Sequence, residues 1–322
     1  MSAIAIGIHG GCGTLDRTLM SDADWAESRA HLAAALRAGH AILHAGGSAV
    51  AAVEAAVVVL EDSVHFNAGF GAALNADGFH ELDASIMDGA TGGAGAVAAV
   101  RRIRNPVMAA RAVMEKSPSV LLVSDAADAF ARAHGLHVVE NSYFTTQRRV
   151  DALKTIKAKA AAGTAASASE AEKHGTVGAV ALDRAGHLAA ATSTGGFNNK
   201  PVGRVGDSPI IGAGTYARNG FAAVSGTGQG EVFIRCAAAY DVIARMAYAR
   251  QTLEAAVNTV VFETLSGHSI GAGFITLDAT GRVYAPFNTL GMYRGWIMDR
   301  SHGHGDHVIV GTHKELHDMG RP

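Results

Sequence analysis

Between residues 157 and 173 the chain loses every aromatic and every branched aliphatic side chain. At Thr176 an uninterrupted β pattern then begins without transition. An Ala/Ser/Lys/Glu-rich stretch of this kind buries too little apolar area to offset its ordering entropy, about 1–2 kcal/mol per residue for the backbone. It is expected to be a linker, with a solvated Ala-rich helix as the competing reading. The apolar runs Thr176–Leu182 and Leu188–Ser193 flank Asp183-Arg184-Ala185-Gly186, a hairpin pattern with a Gly-containing loop. The chain is therefore read as two segments, 1–175 and 176–322, that meet at one abrupt junction.

Upstream, Ala3–Ile8 reads as a strand ending at His9-Gly10-Gly11. Asp22–Ala45 reads as a helix, with Leu32, Leu36 and Leu43 near 3.6-residue spacing. Ser48 is placed to cap a second helix that runs to about Leu60. Strands are expected at Glu81–Met87, Ala94–Val100 and Val120–Val123, with helices at Val107–Glu115 and Ala126–Ala133. Beyond the hairpin come a strand at Phe221–Ser225, helices at Glu231–Ala247 and Leu253–Leu265, and a last hairpin, Phe274–Leu277 with Val283–Pro286. Strands and helices are grouped, which favours sheets covered by helices over a doubly wound parallel sheet.

Among the 322 residues, 48% are hydrophobic and 17% charged, which excludes a disordered chain. The net charge of −2 gives no electrostatic case for nucleic acid or an anionic membrane. Cys12 and Cys236 are the two cysteines, too few for a disulfide framework or a Cys-based metal site. The opening MSAIAIGIHGG lacks the basic start and long apolar core of a signal peptide, so a cytoplasmic setting is expected.

The junction suggests a chemistry. A cut between Gly175 and Thr176 would give Thr176 a free α-amine beside its own hydroxyl. Such an amine titrates near 7.7–8.0 and can serve as the general base for that hydroxyl. Thr192-Ser193-Thr194-Gly195-Gly196 ends the next strand, and Ser225-Gly226-Thr227-Gly228-Gln229-Gly230-Glu231 joins a strand to a helix. Hydroxyls and backbone N–H groups at such strand ends can form an oxyanion site. Between them, Arg204 offers a fork for a carboxylate and Asp207 an anion for an ammonium group.

HGTVGAVALD, ATSTGG, GRVGDSP, SGTGQGE and PFNTLGMYRGW occur in this order, after IHGGCG, LEDSVHFNAGFGAALN, HELDASIMDG and RNPVMAARAVM. The set resembles the plant-type L-asparaginase/isoaspartyl peptidase branch of the N-terminal-nucleophile hydrolases. The resemblance covers nearly all of the chain except the linker and the last twenty or so residues. It implies a single four-layer αββα sandwich, autocleaved into 1–175 and 176–322 and paired as a homodimer of αβ units, (αβ)2. It implies hydrolysis of the β-amide of L-asparagine and of β-aspartyl dipeptides, with release of L-aspartate. By the same resemblance Thr176 is the nucleophile and Thr194 assists it. Thr227 and Gly228 form the oxyanion hole, and Asn67 approaches from the other half. Arg204 holds the substrate carboxylate with support from Gly230, and Asp207 holds the ammonium. His9, Gly10 and Gly11 form a buried loop near the site. No cofactor is implied for catalysis, but a structural sodium ion is, held by the backbone carbonyls of Leu60, Glu61, Ser63, Phe66, Ala68 and Phe70.

Two rival readings differ in class. A glycosylasparaginase-like amidase is disfavoured by the start of the chain and by Gly175, where that branch carries Asp. A metal-dependent hydrolase would use His302, His304, Asp306 and His307, which match a His-x-His-x-Asp-His pattern. Only His313, His317 and Asp318 follow it to complete a second half-site, so a solvated His-rich tail is expected. The other histidines show no ligand spacing, and Met292, Tyr293, Arg294 and Trp296 are expected to pack or line the pocket.

Overall fold

The computed structural model describes residues 3–162, 175–298 and 306–322. The protein is of mixed α/β class. Its larger sheet has nine strands in the order β13-β12-β11-β1-β5-β6-β2-β3-β4. In chain order these are β1 (Ala5–Gly13), β2 (Leu82–Asp88), β3 (Ala94–Val100), β4 (Leu121–Val123), β5 (Val177–Leu182), β6 (Leu188–Thr194), β11 (Gly291–Met298), β12 (Ile309–Gly311) and β13 (Leu316–Asp318). The smaller sheet is β10-β9-β8-β7, built from β7 (Thr215–Arg218), β8 (Ala222–Gly228), β9 (Ala272–Asp278) and β10 (Val283–Tyr284). Among the described residues β3–β4 is the one parallel pair of strands in the two sheets. Strands from both sides of residue 175 interleave in the larger sheet, where β5 lies between β1 and β6.

Every residue of β5 is buried, so both faces of this strand are covered and its sequence is a continuous apolar run. The alternation survives in where each side chain goes. Val177, Ala179 and Ala181 join a core with Leu32, Leu36, Val53 and Val57 from the helices α1 (Asp22–His44) and α2 (Ala49–Glu61). Val180 and Leu182 join a different core with Ala223, Ile275 and Leu277 of the smaller sheet. A third core packs Phe233, Val242, Ile243 and Val257 against Val224 and Phe274 on the far face of that sheet. The small residues of β5 and β6 allow the layers to come together closely.

The helix signals act as the sequence reading expects at Ser48, whose side chain accepts from Ala51 N at the start of α2. The α1 N-terminus carries a capping box, Ser21 with Asp24. Helix α3 (Pro106–Lys116) starts on a proline, and α4 (Ser124–Ala133) follows β4 directly.

Several expectations are corrected. Helix α5 (Gln147–Ala161), capped by Thr146, occupies the first residues of the expected linker. Lys and Ala are strong helix formers and need no buried face to continue a helix already started; Leu153 is the one side chain of α5 that is buried. The rest of the expected linker, 163–174, lies outside the described residues. The expected helix Glu231–Ala247 is two helices, α6 (Gly230–Cys236) and α7 (Ala238–Ala249), separated by Ala237 in the left-handed region at φ 46°. Helix α8 (Leu253–Asn258) passes into a π-helical stretch at Thr259. Strand β1 does not end at His9 but runs through the glycines with an irregularity between His9 and Gly11. Met292–Trp296 is not a segment beyond the last strand but the body of β11, hydrogen-bonded to β1. Most of the expected His-rich tail, residues 301–305, lies outside the described residues; further on, β12 and β13 extend the sheet edge. Among the described residues no helix is long and apolar enough to cross a membrane.

Candidate active site

Thr176 is the last residue before β5 and is 7% exposed. Its neighbours are fixed by the register, Gly178 opposite His9 of β1 and Val177 opposite Ser193 of β6. The Thr176 hydroxyl donates to Thr194 Oγ1 at 3.2 Å, and the Thr194 hydroxyl donates to the Gly175 carbonyl at 3.0 Å. Asn67 Nδ2 donates to the same carbonyl at 2.9 Å. The Asn67 side chain is itself held, with Nδ2 also on Gly196 O at 2.6 Å and Oδ1 accepting from Ala73 N at 2.7 Å. The carbonyl before Thr176 thus has two fixed donors, the arrangement that stabilises an oxyanion.

The glycine loop presses on this junction. Gly11 has φ +106°, and a Cβ there would lie 3.0 Å from Gly175 Cα and 3.3 Å from Thr176 N. His9 is fully buried with Nε2 2.9 Å from Ser225 Oγ. Burial pushes its imidazole down to about 3, with the Thr176 backbone opposing, so His9 is neutral at ordinary pH and positions rather than transfers protons. Three residues beyond His9 on the strand, Cys12 donates its N–H to Thr227 Oγ1 at 3.4 Å. A Thr hydroxyl that accepts at its oxygen retains a proton to give. Gly228 follows it at the end of β8.

Arg204 lies with Nε and Nη2 both 2.9 Å from Glu231 Oε1, and its guanidinium stacks 4.7 Å from the Phe197 ring centroid. Asp207 is buried, and its Oδ2 makes no hydrogen bond. Burial pushes its carboxyl up to about 7, with Glu231 and Asp83 adding repulsion and Arg204 opposing. A buried anion with an unused oxygen is suited to receive a cationic group. Gly230 separates the pair: a Cβ there would stand 2.8 Å from Asp207 Oδ1 and 2.9 Å from Arg204 Nη2. Gly230→Ala should therefore displace one or both groups and raise KM by about tenfold or more, a loss of about 1.4 kcal/mol in capture. Steady-state kinetics beside a thermal melt tests this, and an unchanged KM would contradict it.

A profile of the asparaginase family matches residues 2–306. The chain belongs to the asparaginase family. It is 47% identical over 321 residues to the isoaspartyl peptidase of Escherichia coli K12, covering 99% of this chain and 98% of that one. It is 46% identical to the mouse isoaspartyl peptidase/L-asparaginase, with 82% and 80% covered. It is 40% identical to a probable isoaspartyl peptidase/L-asparaginase of Arabidopsis thaliana, with 92% and 96% covered.

In this asparaginase-family chain the segment from Leu60 to Phe70 curls back on itself. Ser63 N reaches Leu60 O at 3.3 Å, Phe66 N reaches Ser63 O at 3.4 Å, and Phe70 N reaches Glu61 O at 2.7 Å. Glu61 is buried beneath it, and burial pushes its carboxyl up to about 8. Its Oε1 accepts from Ser193 Oγ at 2.7 Å and Val107 N at 3.0 Å, while Oε2 has no hydrogen bond.

The sequence reading gave no role to Glu231, although it sits one residue from Gly230 and holds Arg204. It also missed Lys200, a fully buried lysine whose Nζ donates to Glu81 O at 2.7 Å. A lone Lys in Asn-Asn-Lys-Pro carries no signal of burial. A cavity of about 90 Å³ adjoins the junction, lined among others by Gly11, Asn67, Arg149, Gly175 and Tyr293. Tyr293 thus does line a pocket. Of the C-terminal pattern, His302 and His304 lie outside the described residues. Asp306 stands 3.9 Å from Arg321, and His307 Nδ1 is 2.6 Å from Asp318 Oδ2.

Proposed function

We propose that this chain is an autoprocessed threonine amidohydrolase that cleaves the β-amide of L-asparagine and of β-aspartyl dipeptides, releasing L-aspartate. The observation that carries the reading is the Thr176–Thr194–Gly175 relay, in which the hydroxyl of the residue after a peptide bond is linked through a second hydroxyl to that bond's own carbonyl. Thr176 Oγ1 attacks the Gly175 carbonyl carbon, its proton passing to Thr194 while Thr194 gives its own to the forming oxyanion. Asn67 shares that negative charge. As the tetrahedral centre collapses, its hydroxyl proton passes to the departing nitrogen, so that the C–N bond breaks and the Thr176 amine is freed; water then hydrolyses the resulting ester, releasing the Gly175 carboxylate and the Thr176 hydroxyl.

The freed amine then takes the hydroxyl proton during attack on the substrate's β-carbonyl. Thr227 and the Gly228 N–H receive that oxyanion, and ammonia or an amino acid leaves. Water releases aspartate from the Thr176 ester. Arg204 takes the α-carboxylate and Asp207 the α-ammonium, the part common to both substrates. The unused Asp207 Oδ2 supports this assignment, as do the names of the relatives over the glycosylasparaginase alternative.

The same proposal includes the finer architecture and assembly. The three cores, one between the two sheets and one on each outer face, support a four-layer αββα stack. β1 and β2 of 1–175 interleave with β5 and β6 of 176–322, which supports a single domain, and an (αβ)2 assembly follows the family resemblance. A cytoplasmic setting belongs to the same proposal; Cys12 and Cys236 are not joined to each other in a disulfide. The carbonyls of Leu60, Glu61, Ser63, Phe66, Ala68 and Phe70 are hard oxygen donors above a buried carboxyl, a set fit for sodium. The ion would brace the segment that ends in Asn67 and Phe70 and supply no chemical step.

Asp207 gives a pH test. As pH rises through about 7 its carboxyl ionises, so capture of an α-ammonium strengthens across that interval. Calorimetric affinity of the processed protein for L-aspartate should rise between about pH 6 and 8, and Asp207→Asn should bind weakly and flatly. Equal affinity of the wild type at both ends would contradict the assignment.

A further inference from the structure

The remaining histidines show no ligand spacing along the sequence, but the fold brings two of them together at one place. Glu27 and His31 lie four residues apart on one face of α1, and His65 of the 60–70 segment faces them. One ligand atom from each lies within 4.8 Å of the other two. The His31 and His65 rings are 4.9 Å apart at 54°.

His65 carries the argument. Its side chain is 10% exposed, and its Nε2 is buried without a hydrogen bond. That atom stands 3.6 Å from Glu27 Oε2, beyond hydrogen-bond reach. A tetrahedral ion with arms of about 2.0–2.2 Å places its ligands roughly 3.4 Å apart, so the separation fits a shared ion better than a direct contact. The other ring nitrogen, Nδ1, is 3.4 Å from Ser28 Oγ, which sets the ring with Nε2 toward Glu27 and His31. An outer hydrogen bond that aims an imidazole in this way is the usual support of a metal-ligating histidine.

We propose that Glu27, His31 and His65 form a binding site for a divalent transition-metal ion, Zn²⁺ or Co²⁺, with a fourth position left for water. Two imidazoles and one carboxylate select such ions over calcium and magnesium, which prefer all-oxygen shells. His65 also lines the cavity beside Gly175, which gives the ion an entry path. The ion would join α1 to the segment that carries Asn67. None of the three residues is a proposed catalytic group or sodium-carbonyl donor, although His65 borders both, and the site does not depend on the activity.

The test is cobalt and zinc titration of the full-length protein. Co²⁺ should give the visible absorption of a four-coordinate ion, and zinc should raise the melting temperature. Both effects should be lost in His65→Leu and in His31→Ala, with zinc affinity lower by about 100-fold or more. They should persist in His302→Ala/His304→Ala, which separates this site from the C-terminal histidines. Circular dichroism shows whether each variant is folded, and the variant at half-buried His31 provides an independent loss of ligand. No cobalt spectrum in the wild type would overturn the proposal. So would equal zinc affinity in the wild type and both folded variants, whether from ions held elsewhere or from a plain His65–Glu27 ion pair.

Discussion

Thr176→Ala is expected to accumulate as one uncut 322-residue chain with no measurable turnover. The reason lies in the relay. Without Oγ1 the Thr194 hydroxyl and Asn67 still hold the Gly175 carbonyl, but nothing attacks it. The effect should be all-or-none because, on the proposed mechanism, the same oxygen serves twice, first against its own chain and then against substrate. Folding should survive, since Ala removes a hydroxyl and a methyl from a small residue at the edge of β5. Thr176→Ser keeps the oxygen and should still cut, more slowly. Electrophoresis of the two variants after long incubation in protease-free buffer checks this. A fully processed Ala variant would mean that another group performs the cut.

Thr227→Val should process normally and then turn over roughly 10²–10³ times more slowly, the usual loss for one oxyanion donor. Valine matches the shape of threonine but has no proton to give. Thr227 is 1% exposed and accepts from Cys12 N, whereas the donors on the Gly175 carbonyl are Thr194 and Asn67. On the proposed mechanism two oxyanion sites would serve the two reactions, and this variant separates them. The drop should appear in kcat with KM little changed, because the donor acts only on charge formed in the transition state. Cys12 N loses its acceptor, which costs about 1–3 kcal/mol of stability, so a melting curve accompanies the kinetics. If Thr227→Val blocks processing but leaves kcat of the matured fraction intact, the division between the two sites is wrong.

Much of this site could be read from the chain because its parts are local. The β5–β6 hairpin announces itself by two apolar runs and a loop with Gly186 at φ +80°. Thr176, Thr194, Thr227 and Gly228 all sit at or next to strand ends, where glycine and hydroxyl residues cluster in sequence. Helix α2 was bounded by Ser48, whose cap acts through one hydrogen bond three residues away. What could not be read depends on contacts between distant residues. Strand β11 hides because Gly291, Arg294 and Gly295 break its apolar pattern; its place beside β1 decides its conformation. The Gly230 requirement arises from two side chains, Arg204 and Asp207, approaching one Cα. His65 meets Glu27 and His31 across nearly forty positions, a juxtaposition with no period to detect.

The central claim is that the polypeptide cuts itself at Gly175–Thr176 and uses the residue so exposed. The most direct measurement is intact mass spectrometry of the purified protein, denatured after incubation in protease-free buffer and again after brief exposure to a β-aspartyl dipeptide. Two polypeptides matching 1–175 and 176–322 are expected, the second gaining one aspartyl group, as an ester on Thr176, in the substrate-treated sample. A single uncut chain that nevertheless releases aspartate, or an aspartyl group on any fragment lacking Thr176, would contradict the account.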